Sequence, residues 1–290
     1  MIDLLASPMI SSRRRLRSRR GLTLVELIVT LVIAAIIGGA FTRAMVHQSR
    51  FFNAQNRGRQ ARNVSRGALN VMMSELRMVT APRGVLAASS DSVVVRVPYA
   101  FGVLCGSTPT ASTISLAPMD SLAYNQAGVR GYAWRDSTGN YAYVNASFVL
   151  APGLVTDCAT ASITTLPRGR VVTVRPVVPA AAVPGTPIFL YRRIEYKFGP
   201  SLVMSGRRAL WRMNLDASTS EELVAPFDAS ARFRFFVDGA TTSRANAPAV
   251  LDSIRGLELR LAGSSERTAL NTGQPATAEL QTAVFFMNRR

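Results

Sequence analysis

Lysine, histidine, cysteine and acid are all scarce in this chain of 290 residues. His47 is the only histidine, which excludes the multi-histidine sets that hold catalytic metals and leaves that residue no catalytic partner. Two cysteines, Cys105 and Cys158, are too few for a disulfide-dense scaffold, and their spacing matches no zinc site. The serines form no GxSxG elbow, and neither GxGxxG nor the phosphate-binding GxxxxGK(S/T) pattern occurs. No stretch recurs at a fixed period. The reading is of a protein that is not an enzyme and takes no metal or cofactor. Charged residues make up 18% of the chain against 48% apolar, so most of it should fold. The length suits one generous globular domain, or two small ones, besides an anchor.

What charge there is leans one way. Basic residues number 34 against 17 acidic, a formal net charge of +17. Arg13, Arg14, Arg15, Arg17, Arg19 and Arg20 face Asp3 alone in the leader, and between Arg43 and Arg83 only Glu75 opposes the arginines. The leader arginines fit retention on the cytoplasmic side of a membrane. Those after Arg43 suit anionic lipid headgroups, acidic neighbours or nucleic acid. Lys197 is the only lysine, so much of the arginine reads as compositional bias.

Between these basic segments lies RGLTLVELIVTLVIAAIIGGAF, Arg20 to Phe41. It has the roughly 20 apolar residues that a helix needs to cross a bilayer. Glu26 sits inside it. A carboxylate there either lies close enough to the interface to be tolerated or has a partner and a function. The basic flank places the rest of the chain outside the cytoplasm. Ordinary secretory processing would use Gly38 and Ala40 and leave Phe41 as the new terminus. Starts at Met1 and at Met9 both leave a basic leader. Outside the cytoplasm, Cys105 and Cys158 are free to form a disulfide, with two unrelated buried thiols as the alternative.

Arg20, Gly21, Leu22, Thr23, Leu24, Val25, Glu26 and Leu27 resemble the type IV prepilin signature: a basic leader ending in glycine, a hydrophobic residue, Thr, and Glu fifth after the cut. The resemblance implies cleavage between Gly21 and Leu22 by a prepilin peptidase and methylation of the Leu22 amine. It also makes Glu26 the assembly glutamate, paired with the amine of a neighbouring subunit. Leu22 stands where Phe is usual in the family.

Past Thr42 the helical pattern continues to about Thr80. Ala61, Val64, Ala68, Leu69, Met72, Met73, Leu76 and Val79 recur at helical spacing, and Pro82 and Gly84 end the run. Strand signals then follow. These are Ser92–Val97 closing at Pro98, a weak one at Ile114–Leu116, and a pair at Tyr132–Trp134 and Tyr141–Leu150. Further on come Arg170–Arg175, a hairpin of Ile188–Phe198 with Arg207–Met213, Glu221–Val224, Ala231–Val237, Ser253–Leu261 and Glu279–Met287, with a loop from Ala262 to about Thr277. Trp134, Tyr141 and Tyr143 read either as a binding patch or as sheet packing.

The expected fold is α+β, a long N-terminal helix packed on a mainly antiparallel sheet. The divisions are a leader to residue 21, a transmembrane helix over 22–42, its amphipathic continuation over 43–81, and an exported β-rich domain over 82–290. This order is similar to the larger minor pilins and pseudopilins, of the kinds called PilW and GspJ. The likeness implies a subunit of the bacterial inner membrane at or near the tip of a type IV pilus or type II secretion pseudopilus. It also implies other major and minor pilin-like subunits and an inner-membrane assembly platform as partners, with DNA or a secreted substrate as a further partner class. DNA-uptake machines share the design. The rival reading is an anchored or secreted envelope protein whose sheet binds surface ligands or DNA.

Overall fold

A computed structural model describes residues 23–124, 128–150, 170–269 and 272–287. Helix α1 (Leu24–Leu76) is 53 residues long. It passes through two units, one ending at Asn53 and the other beginning at Ala54. In the first unit every described residue is exposed. In the second, α1 buries Ala61, Ser65, Ala68, Met72 and Leu76, a stripe at i, i+4, i+7, i+11 and i+15. Val64, Leu69 and Met73 flank this stripe and pack against the same core. The helix stops four residues short of the expected end. Met78 and Val79 donate their N–H groups to Glu75 and Leu76 three residues back, at 3.0 and 3.2 Å. Such tightened bonds satisfy the last carbonyls before Pro82 is reached.

The strands are β1 (Val85–Ala88), β2 (Ser92–Ser107), β3 (Ser112–Leu116), β4 (Gly131–Arg135), β5 (Tyr141–Asn145), β6 (Ser147–Leu150) and β7 (Val171–Arg175). They continue with β8 (Pro187–Pro200), β9 (Arg208–Asn214), β10 (Thr219–Phe227), β11 (Arg232–Val237), β12 (Ile254–Thr268) and β13 (Pro275–Phe285). A short helix α2 (Pro118–Ala123), absent from the sequence expectation, follows β3. The named strand pairings are antiparallel, in the order β11-β12-β10-β9-β8-β2-β3-β7-β6. β1 adds to β2, β13 to β12, and the β4–β5 hairpin to β8. The architecture is therefore the expected α+β arrangement of a long helix on an antiparallel sheet.

Three expectations fail, each for a backbone reason. The first concerns β2, which does not stop at Pro98. Pro98 pairs with Tyr191 and Ala100 with Leu190, so Tyr99 is bulged out where a residue without an N–H is tolerated. That bulge shifts the alternation, so that Val93, Val95 and Val97 before it and Ala100 and Leu104 after it are all core residues. Second, Tyr141–Leu150 is two strands: β5 pairs with β4, and β6 pairs with β7. Third, β12 runs past Ala262 to Thr268. Its Ser264 and Ser265 are buried, and the Ser265 hydroxyl bonds to Arg267 O and Ala276 N.

The core has two parts. One gathers Ala68, Met72 and Leu76 of α1 with Val93, Val95, Val97, Ile194, Tyr196, Phe198, Phe233, Phe235, Leu257 and Leu259. The other lies among β3, β4, β6, β7 and the ends of β2 and β8, around Tyr132, Trp134, Ile114 and Leu190. Beyond α1, Thr80 pairs parallel with Met287, and Met287 N–H donates to Val79 O at 2.9 Å.

Candidate functional site

The head of α1 is built by Thr23. Glu26 donates its backbone N–H to Thr23 Oγ1 at 3.2 Å, and Leu27 donates to Thr23 O at 3.1 Å. Thr23 is therefore the N-cap, and Thr-Leu-Val-Glu has the spacing of a capping box, a signal the sequence reading passed over. Glu26 falls in the first turn, where the partial positive charge of the helix end favours a carboxylate. Gly21 and Leu22 lie outside the described residues.

The apolar run around Glu26 has no protein cover among the described residues: Leu24 is 79% exposed and Ile36 67%. By length and composition this helix can cross a membrane. The hydroxyls of Thr30 and Thr42 donate to Leu27 O at 2.9 Å and Gly38 O at 2.8 Å. Those bonds satisfy, within the helix, groups that lipid cannot.

At the other end of α1, Glu75 is the one acid in a basic surround. Arg212 donates to it from Nη2 at 2.6 Å and from Nε at 3.2 Å, Arg192 donates at 3.0 Å, and the Tyr196 hydroxyl at 2.6 Å. Burial alone would raise the Glu75 carboxyl. The bonds from Arg212 and Tyr196 and the charges of Arg212 and Arg192 outweigh it and hold the group below its ordinary 4.5. Burial, and then the charge of Glu75, push the Tyr196 phenol upward. This cluster fastens the helix to β8 and β9.

The aromatic residues noted in the sequence part company. Trp134 is buried in the second core, whereas Tyr141 and Tyr143 turn with Phe189 and Tyr191 toward a small cavity of about 100 Å³. The Arg96 guanidinium lies 4.6 Å from the centre of the Tyr143 ring. Tyr143 also hydrogen-bonds Thr80. These rings are engaged with their own chain, as sheet packing requires.

Cys105 is buried on β2. Cys158 lies outside the described residues, so the expected pairing stays an expectation. His47 is exposed on α1. Among the described residues no group of three His, Cys, Asp or Glu side chains is placed to hold a metal ion.

Residues 16–42 match the family model of the prokaryotic N-terminal methylation motif. Neither a curated protein nor a solved structure matches the chain. The motif implies processing by prepilin peptidase and assembly with other pilins, and together with the apolar helix it fits a membrane-anchored pilin. Carried on the exposed helix that begins at Leu24, it supports reading the chain as a pilin-like precursor and is consistent with a type IV prepilin-like protein.

Proposed function

We propose that the chain is a minor pilin or pseudopilin, cut between Gly21 and Leu22, methylated at Leu22 and assembled at or near the tip of a type IV pilus or type II secretion pseudopilus. Its N-terminus faces the cytoplasm and the β-rich part lies beyond the inner membrane. The observation that carries the reading is the methylation motif over residues 16–42 at the head of an uncovered apolar helix with Glu26 in its first turn. The many-stranded sheet supports a large accessory subunit over a compact bulk one.

In this mechanism the cut exposes a cationic amine at Leu22. Glu26 of one subunit meets the Leu22 amine of the next when their helices stack with an axial offset. The attraction is strong in low dielectric, though desolvation offsets much of it, so the pair acts chiefly to select register. N-terminal sequencing of the mature protein should return methylated Leu22; a terminus at Phe41 or an intact leader would refute the reading. Glu26→Ala should insert normally yet enter assemblies with partner pilins at least about a hundredfold less, since removing one member of a desolvated pair costs about 3–5 kcal/mol and each 1.4 kcal/mol is about tenfold. Unchanged incorporation would remove the pairing role.

A further inference from the structure

We infer that the stretch of α1 just past its apolar run is a binding site for the headgroup of an anionic phospholipid. The inference rests on the membrane-spanning reading of that run. Arg43, His47 and Arg50 recur at i, i+4 and i+7 and so share one face of the helix, all exposed. Phe41, Met45 and Phe52 fall on the opposite side, exposed at 62, 52 and 58%. An open groove on the cationic side is lined by Gly39, Thr42, Arg43, Val46, His47 and Arg50. Gly39 has nothing within 4 Å of where a Cβ would stand, and this leaves a recess one turn before Arg43. The Thr42 hydroxyl is spent on Gly38 O. The groups left to hold an anion are therefore two guanidinium groups and an imidazole.

Position and charge select the ligand. Arg43 comes two residues after Phe41, about 3 Å along the axis, and Arg50 roughly 10 Å further. A headgroup layer several ångströms deep begins where the hydrocarbon ends, and arginine stems reach back toward it. The phosphate of a lipid whose glycerol fills the Gly39 recess would lie within reach of Arg43. On α1 no carboxylate occurs between Glu26 and Glu75. Among the described residues neither Arg43 nor Arg50 forms an ion pair. A second copy is a poor occupant, because it carries the same net charge of +17.

The test uses the full chain in detergent micelles doped with phosphatidylglycerol or phosphatidylcholine, with retained lipid counted by native mass spectrometry. Phosphatidylglycerol should be retained preferentially. Arg43→Gln with Arg50→Gln should weaken that retention about 25-fold, at roughly fivefold per arginine near a membrane surface. Arg59→Gln with Arg62→Gln removes the same charge about 24 Å beyond Arg43 and should change it less than about twofold. Equal losses from both pairs, no loss from the first, or displacement by millimolar inorganic phosphate would each overturn the site. Carbonate extraction of membranes separates the two claims. A chain washed out of the bilayer would defeat the spanning reading and the site with it, whereas an inserted chain without headgroup preference would defeat the site alone.

Discussion

Glu75 answers two arginines and a tyrosine from the last complete turn of α1, and its titration gives the fold a pH window. Its folded value is depressed, so the stability it contributes is complete above 4.5 and is lost as pH falls through the lowered folded value. The Tyr196 phenol is raised above its ordinary 10, so its contribution is complete below 10 and is lost as pH rises beyond that. Glu75→Gln would leave Arg192 and Arg212 without a counter-charge. The expected cost is about 2–3 kcal/mol, less than the usual 3–5 for a fully buried pair because the Arg192 side chain keeps 24% exposure. Denaturant unfolding at neutral pH and again near pH 3 should show the difference between variant and parent shrinking with acid. A constant difference would mean that Glu75 acts through shape and not charge. The sequence displayed Glu75 as a lone acid among arginines. It did not display the partners, which arrive from β8 and β9 more than a hundred residues later.

At the scale of elements, α1 and β12 meet backbone to backbone. Ser65 Oγ donates to Leu261 O at 2.8 Å and accepts the Gly263 N–H at 3.0 Å. A Cβ on Gly263 would stand 2.1 Å from Ala61 O. Backbone meets backbone there, so no side chain can give way. Gly263→Ala should therefore destabilise by about 3 kcal/mol or more, at the upper end of overpacking costs, and thermal unfolding would measure it. A change below about 1 kcal/mol would show that the helix slides freely over the strand. Helical periodicity found the apolar members of the buried stripe but missed Ser65, because a hydroxyl on a core face looks like an error until the backbone that satisfies it is in view. The same blindness cut β2 at Pro98 and β12 at Ala262, since a bulge and a pair of buried serines are solved by neighbouring strands and not by local preference.

For the whole molecule, the described hydrophobic core draws on α1 only from Ala61 onward. A chain beginning at Ala54 should therefore stay soluble without detergent and unfold in a single cooperative transition, followed by far-ultraviolet circular dichroism. A broad, non-cooperative melt would show that the exposed helix contributes to the domain's stability. The α+β class, the helix and most strands were legible because each has its own periodicity, and the Gly21–Glu26 spacing was legible because it falls within the methylation motif over residues 16–42. The route of the sheet was not legible: the alternation within a strand does not state which neighbour it will choose. Helix α2 escaped notice for a related reason, being six residues within a stretch of small polar residues.

The pairing of Thr80 with Met287 joins the segment leaving α1 to the final described strand region. Synthesis delivers Thr80 long before Met287. The first to emerge waits, the Val79 carbonyl without the N–H of Met287, while the intervening strands are made. A product that stopped short of Met287 would thus leave the strip of chain after Leu76 without its clasp.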